Sequence, residues 1–269
     1  MNITMDVTTG STSRKRLLAF GLLLCGVICV APCKADEPAR SLLEDTKLYV
    51  TAPLRWESRE WMMLAGTVFT VGIAHEFDDS VRHAFEPAGG QPLDGQDPNS
   101  TRDAIPALAL LAGTWAVGAF SHDKSGRHEA WNMAEAAGFS AVDTVLLKYL
   151  GGRLRPNETA SPDAWFENGD SFPSMHASAA FAIGTVFAES GSDEHRWFRR
   201  TLGYGIAGAT AYVRLHDNVH WFSDVVAGAA IGISTAHFVM NRDGEKPQNS
   251  GFSVVPVEGG AMLTYWRIP

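Results

Sequence analysis

The chain has 269 residues, 45% of them hydrophobic and 19% charged, with a formal net charge of −8. That composition excludes disorder over most of the length and allows one large core or two small ones. So acidic a chain is a poor binder of nucleic acid, and an anionic substrate needs a local basic pocket set against the overall field.

In chain order, the first predicted element is a targeting segment. Arg14, Lys15 and Arg16 precede an apolar run from Leu17 to Val30, and Cys33-Lys34-Ala35 supplies small residues at the two cleavage positions. Residues 1–35 therefore read as a secretory signal peptide, with an uncleaved anchor as the alternative and lipidation at Cys33 weaker still. The run is short for a membrane span. All three cysteines lie within it, so the exported part is held by its core and not by disulfides. Losing Arg14, Lys15, Arg16, Lys34 and Asp6 with this segment takes the net charge from −8 to −11.

After a polar lead over 36–59, apolar segments follow at about 60–76, 104–120, 131–150, 174–188, 200–213 and 222–240. Their lengths and their Ala, Leu, Met and Gly content predict helices, hence an all-α bundle of about six core helices over 36–245. The Gly/Pro/Asn/Asp-rich stretch 86–103 and the segment 151–172 read as surface loops. The tail, 246–269, holds two β-prone runs around Glu258-Gly259-Gly260 and reads as a small β-hairpin, with an irregular tail packed on the helices as the alternative. Only 104–120 approaches the length of a membrane span free of charge, the other segments being short or interrupted by His75, Glu76, Glu135, Asp143 and His237. If 60–76, 104–120 and 131–150 all spanned, Lys148 would end on the side opposite an exported residue 36. The expectation is an exported bundle, in the bacterial periplasm, resting on a membrane surface; a multispan arrangement is the alternative.

Three polar clusters carry the chemistry. They are Lys148 with Arg155-Pro156 in "KYLGGRLRP", Pro173-Ser174-Met175-His176, and Arg214, His220 and Asp224 in "RLHDNVHWFSD". Taken singly, each has an ordinary reading: a solvated helix end, a satisfied core histidine, an i, i+4 pair. As a set they suit a tetrahedral oxyanion. Lys148, Arg155 and Arg214 supply cationic donors. Ser174 stands at an N-cap, so the first-turn N–H groups that follow add an anion site, and His176 lies in that turn. Asp224, one turn after His220, can hold one imidazole nitrogen and leave the other free to attack, while His176 exchanges a proton with the leaving oxygen and then with water.

K-x6-R-P, P-S-x-H and R-x5-H-x3-D, in this order and on helical segments, resemble the type-2 phosphatidic acid phosphatase superfamily, which also contains bacterial non-specific acid phosphatases and vanadium haloperoxidases. The resemblance covers about residues 100–240. It implies that Lys148, Arg155, Ser174, Arg214 and the backbone around Met175 bind phosphate. It further implies His220 as nucleophile, Asp224 as its orienting carboxylate, His176 as general acid, and a helical bundle with these loops gathered at one end. The chain departs from the family pattern at Met175, where glycine is usual, and at Val213, where serine is frequent; both change substrate fit. The function so implied is a metal-independent phosphatase, without a cofactor, acting on a phosphorylated lipid or a small phosphate ester. A soluble acid phosphatase, a vanadate-dependent haloperoxidase and a non-catalytic phospholipid-binding protein are the alternatives. A mean hydropathy of −0.05 favours the soluble form, and the uncharged 104–120 segment the lipid form.

Other polar residues carry weaker signals. His216 and Asp217 read as loop residues on the pocket rim. His75, Glu76, Asp78, Asp79 and His83 read as a solvated helix end more readily than as a metal site. Glu135 and Asp143 read as contacts between helices.

Overall fold

A computed structural model describes residues 42–85, 101–191 and 193–242, together with the backbone of 250–257 and 260–267. The targeting segment 1–35 and most of the 86–103 loop lie outside these residues. The described chain is mostly helical. Its helices are α1 (Leu42–Thr51), α2 (Ser58–His75), α3 (Asp78–Phe85), α4 (Ile105–Phe120), α5 (Lys124–Gly151), α6 (Met175–Glu189), α7 (Arg196–His216) and α8 (Phe222–Asn241). Two compact units divide at Val239 and Met240. In the second, β1 (Ser250–Val257) and β2 (Gly260–Arg267) pair antiparallel, with Val257 opposite Gly260.

Each apolar segment of the sequence became a helix, with ends set by local chemistry. Asp123 caps α5 by accepting from the N–H groups of Ser125 and Gly126 at 2.9 and 3.2 Å. The helix stops at Gly152, whose φ of 53° is the left-handed conformation that closes helices, and its N–H donates to the Lys148 carbonyl at 2.9 Å. This stop points the last turn of α5, with Lys148 in it, at the loop 152–174. At α2, Glu57 and Glu60 form a capping box.

Helix α6 is the centre of the bundle. Thirteen of its fifteen residues are buried, which its alanine-rich sequence permits. Neighbouring helices reach it through glycines. Gly184 faces the Gly203 carbonyl of α7 so closely that a β-carbon there would stand 2.6 Å from it, and a β-carbon on Gly232 of α8 would meet the Ser178 carbonyl of α6 at 2.2 Å. Backbone cannot yield as a flexible side chain can. Gly232→Ala is therefore expected to destabilise the protein by about 1–3 kcal/mol, read as a lowered denaturant midpoint; an unchanged midpoint would show that α8 does not pack this tightly on α6.

The polar lead 36–59 contains a helix that its composition concealed. α1 docks through Tyr49, which stacks on Phe139 of α5 with ring centroids 4.4 Å apart, meets Phe238 of α8 edge-on at 4.9 Å, and donates to Asp143. Asp143 is thus an inter-helix contact. Elsewhere apolar side chains face outward. On α2, Trp61, Met62, Met63, Val68, Phe69 and Ile73 are exposed, as are Trp115, Val117 and Phe120 on α4. Among the described residues two helical stretches are long and apolar enough to cross a membrane, Thr101–Phe120 and Phe222–Asn241. The second was set aside in the sequence because His237 interrupts it; its one aspartate, Asp224, stands in the first turn.

Candidate active site

The site is built where α5 ends, α6 begins and the α7–α8 connection crosses between them. Lys148 lies in the last turn of α5. Arg155 follows in the loop 152–174, Ser174 to His176 open α6, Arg214 closes α7, and His220 and Asp224 flank the start of α8. All are buried, Met175 included.

The 151–172 segment, read from the sequence as a surface loop, is buried in part. Arg153, Arg155 and Ser171 are buried within it. Arg155 donates from Nε to Asp170 Oδ1 at 2.7 Å and from Nη1 to the Val219 carbonyl at 2.7 Å, and its Nη1 lies 3.2 Å from His220 Nε2. Lys148 Nζ donates to the Asp170 carbonyl and, at 3.4 Å, to that of Ser171. Arg214 donates to Asp103, just ahead of α4. Ser174 accepts the Ala177 N–H at 3.5 Å, a long cap, and its own N–H donates to the Asp224 carbonyl at 3.0 Å. The N–H groups of Met175 and His176 stand in the first turn of α6, where a helix offers no internal acceptor.

His220 is held from both sides. Its Nδ1 lies 3.5 Å from Asp224 Oδ2, an approach looser than a formed hydrogen bond. Because a guanidinium only donates, the contact with Arg155 puts the lone pair on Nε2 and the proton on Nδ1, facing the carboxylate. Burial above all, then Arg155, Lys148, Arg214 and His176, hold this imidazole well below the usual histidine range. It is neutral at neutral pH. Burial, then the repulsion of Arg155, brings Lys148 down to about 7, with Arg214 adding to the depression and Asp170 and Asp224 opposing it.

Behind Asp224 lies a layer that sequence reasoning missed. Its Oδ1 accepts from Arg153 at 2.7 Å, and its Oδ2 accepts from Ser171 and, at 2.9 Å, from the Trp221 N–H. Arg153 also donates to Asp78 at 2.6 Å and to the Pro162 carbonyl at 2.7 Å, with its guanidinium over the rings of Trp165 and Trp221. Asp78 in turn accepts both the N–H and the hydroxyl of Ser223 at 2.7 Å. The 75–83 cluster is therefore no solvated helix end as a whole. Asp78 is fully buried, and His75 bridges Asp78 and Asp163 at 2.9 Å each, while Glu76, Asp79 and His83 are exposed. His216 is exposed, 3.1 Å from Asp217 and stacked on Tyr212. The only sequence signal for the hidden layer was the arginine two residues before Arg155.

Comparison with known proteins bears on this arrangement. Residues 129–246 match the PAP2 superfamily, a stretch that includes each of the three motifs. A lipid A 1-phosphatase of Porphyromonas gingivalis is 32% identical over 216 residues, 78% of this chain and 43% of that protein. A PA-phosphatase related-family protein of Dictyostelium discoideum is 29% identical over 49% of this chain and 54% of its own length. The chain thus spans about half the length of these relatives. Among solved structures, Aquifex aeolicus LpxE covers 60% of this chain and 93% of its own at 18% identity and a TM-score of 0.38. A transmembrane PAP2-type phosphatidylglycerolphosphate phosphatase of Bacillus subtilis covers 84% and 94% at 18% identity and 0.39. The motifs and the match together assign residues 129–246 of the chain to the PAP2 superfamily.

Proposed function

We propose that the chain is a phosphoric ester hydrolase acting on a lipid phosphate through a phosphohistidine at His220. The observation that carries this reading is the buried, neutral His220, with Asp224 facing Nδ1 and the cation Arg155 on the Nε2 lone pair. A phosphate entering between Lys148, Arg155, Arg214 and the first turn of α6 draws Arg155 onto its own oxygens and frees Nε2. Nε2 attacks phosphorus, the bond to the leaving oxygen breaks, and His176 gives that oxygen its proton. Water then attacks phosphorus, His176 recovers a proton from it, and the N–P bond breaks to release inorganic phosphate. The three cations stabilise charge on the transferring group throughout. No step draws on a metal ion.

Two observations favour a lipid as the substrate. Apolar side chains are exposed along α2 and α4, an arrangement that costs free energy in water and none against acyl chains. The lipid A 1-phosphatase match extends over 78% of the chain, well beyond the motifs. Export by the 1–35 segment would place the site outside the cytoplasmic membrane.

The test is phosphate release by the full chain in EDTA, from phosphatidate and lipid A in mixed micelles and from p-nitrophenyl phosphate. Release from at least one lipid phosphate, at roughly tenfold or more higher kcat/KM than from the soluble ester, is expected; this ratio corresponds to about 1.4 kcal/mol of added transition-state binding. Faster turnover of the soluble ester would favour a soluble acid phosphatase, and release that requires a divalent metal would overturn the mechanism.

A further inference from the structure

An acid inside an anion-binding pocket calls for a reason, since it repels the ligand. Asp170 is such an acid. Its carboxylate accepts from Arg155 Nε at 2.7 Å, and its backbone carbonyl accepts from Lys148 Nζ and, at 3.4 Å, from Arg155 Nη2. One residue thus ties together two of the three cations that face His220. Its side chain is 16% exposed, and its Oδ2 is buried without a hydrogen-bond partner. Were orientation of Arg155 the whole purpose, a neutral acceptor such as an amide would serve without repelling phosphate.

We propose that Asp170 is a positioning residue: its carboxylate and carbonyl hold Lys148 and Arg155 as a paired cradle, and its negative charge sets how far toward alkaline pH that cradle keeps its grip on phosphate. The inference rests on the phosphatase reading above. Three cations gathered in a buried site repel one another, and lysine is the one that can escape by losing its proton. The charged groups that act on Lys148 are Arg155 and Arg214, which favour proton loss, and Asp170 and Asp224, which oppose it. Asp224 is already engaged by Arg153, Ser171 and Trp221, which leaves Asp170 as the counter-charge in direct contact with the cradle. Burial raises the Asp170 carboxyl, but the charges of Arg155 and Lys148 and the hydrogen bond from Arg155 outweigh it and hold the group far below the usual range, so it is ionised across the pH range of the experiment.

The sign follows. With Lys148 near 7, the cradle is fully charged below that pH and weakens above it. Removing the Asp170 charge lowers Lys148 further and moves the weakening to more acid pH, while relieving direct repulsion of the ligand at low pH. Asp170→Asn keeps the shape and the acceptor for Arg155 and removes only the charge; Asp170→Glu keeps the charge.

The experiment is titration calorimetry of inorganic phosphate binding to the full chain between pH 5.5 and 8.5. The ionisation of phosphate itself is common to all variants and cancels in the comparison. Asp170→Asn is expected to bind at least as tightly as wild type at pH 5.5 and about tenfold more weakly at pH 8, its curve displaced by about one pH unit; Asp170→Glu should keep the wild-type midpoint. Should the Asn variant not fold, Lys148→Arg decides, because a cation that keeps its proton should flatten the alkaline limb. Curves of equal midpoint for wild type and Asp170→Asn, or an unflattened limb in Lys148→Arg, overturn the assignment and leave the phosphatase reading standing. Wild type that binds no phosphate at any of these pH values sinks the phosphatase reading itself, and this proposal with it.

Discussion

His220→Ala is expected to lower phosphate release by about 10⁴-fold or more, the scale seen when a nucleophile is removed from a site that otherwise keeps its binding groups. The expectation follows from where the ring sits. His220 is buried, its Nε2 is the atom that Arg155 and, in turn, a phosphate would meet, and burial together with its cationic neighbours keeps it unprotonated. Alanine leaves Lys148, Arg155 and Arg214 in place, so inorganic phosphate should still bind. Release that survives the substitution would move the nucleophile elsewhere and with it the roles of Asp224 and His176. Loss of phosphate binding alongside activity would instead show that His220 holds the cradle together.

The largest loss of stability is expected at a residue that touches no substrate. Asp78→Ala removes the carboxylate that accepts from Arg153, from the Ser223 N–H and from the Ser223 hydroxyl. It leaves a fully buried guanidinium with the carboxylate of Asp224 alone to face it. Breaking one side of a buried ion pair costs about 3–5 kcal/mol, and the stranded Ser223 N–H adds to it. Because Arg153 is also the group that fixes Asp224 Oδ1, activity should fall with stability. Denaturant unfolding measures the first effect, and the double variant with Arg153→Met checks its origin. If the charge left behind is the cause, the pair should lose markedly less than the sum of the single changes. A cost below about 1 kcal/mol for Asp78→Ala would mean that solvent reaches the layer after all.

The helices and the site were legible in the sequence to different depths. Six apolar segments predicted six helices because burial of Ala, Leu and Val is written into composition and length. The motif residues were legible because Lys148 to Arg155 and His220 to Asp224 are local spacings. α1 was not, since "LEDTK" reads as polar and Tyr49 docks it by reaching Phe139 and Asp143 some 90 residues away. Asp78 was misread for the same reason: its partners Arg153 and Ser223 stand 75 and 145 residues further on, and nothing local separates an aspartate that will be buried from Asp79 beside it, which stays exposed. Asp170 was masked by its neighbours, whose pattern assigns roles to Ser174 and His176 and none to the acid in front of them.

The pairing of charges at the site has a consequence for how substrate arrives. Lys148, Arg153, Arg155 and Arg214 lie with Asp78, Asp103, Asp170 and Asp224, each of these cations bonded to one or more of these residues. While Lys148 keeps its proton, four positive charges meet four negative ones, so beyond a Debye length of about 8 Å the site is electrically silent. What a distant phosphate senses is the remainder of a chain at −8, which pushes it away. Capture from bulk water is therefore slow and quickens as salt screens that repulsion, the reverse of electrostatic steering. On the lipid reading proposed above, a substrate tethered by its acyl chains would escape the problem: it would diffuse in two dimensions along a membrane, and its headgroup would meet the cradle only at contact range, where the cations no longer cancel.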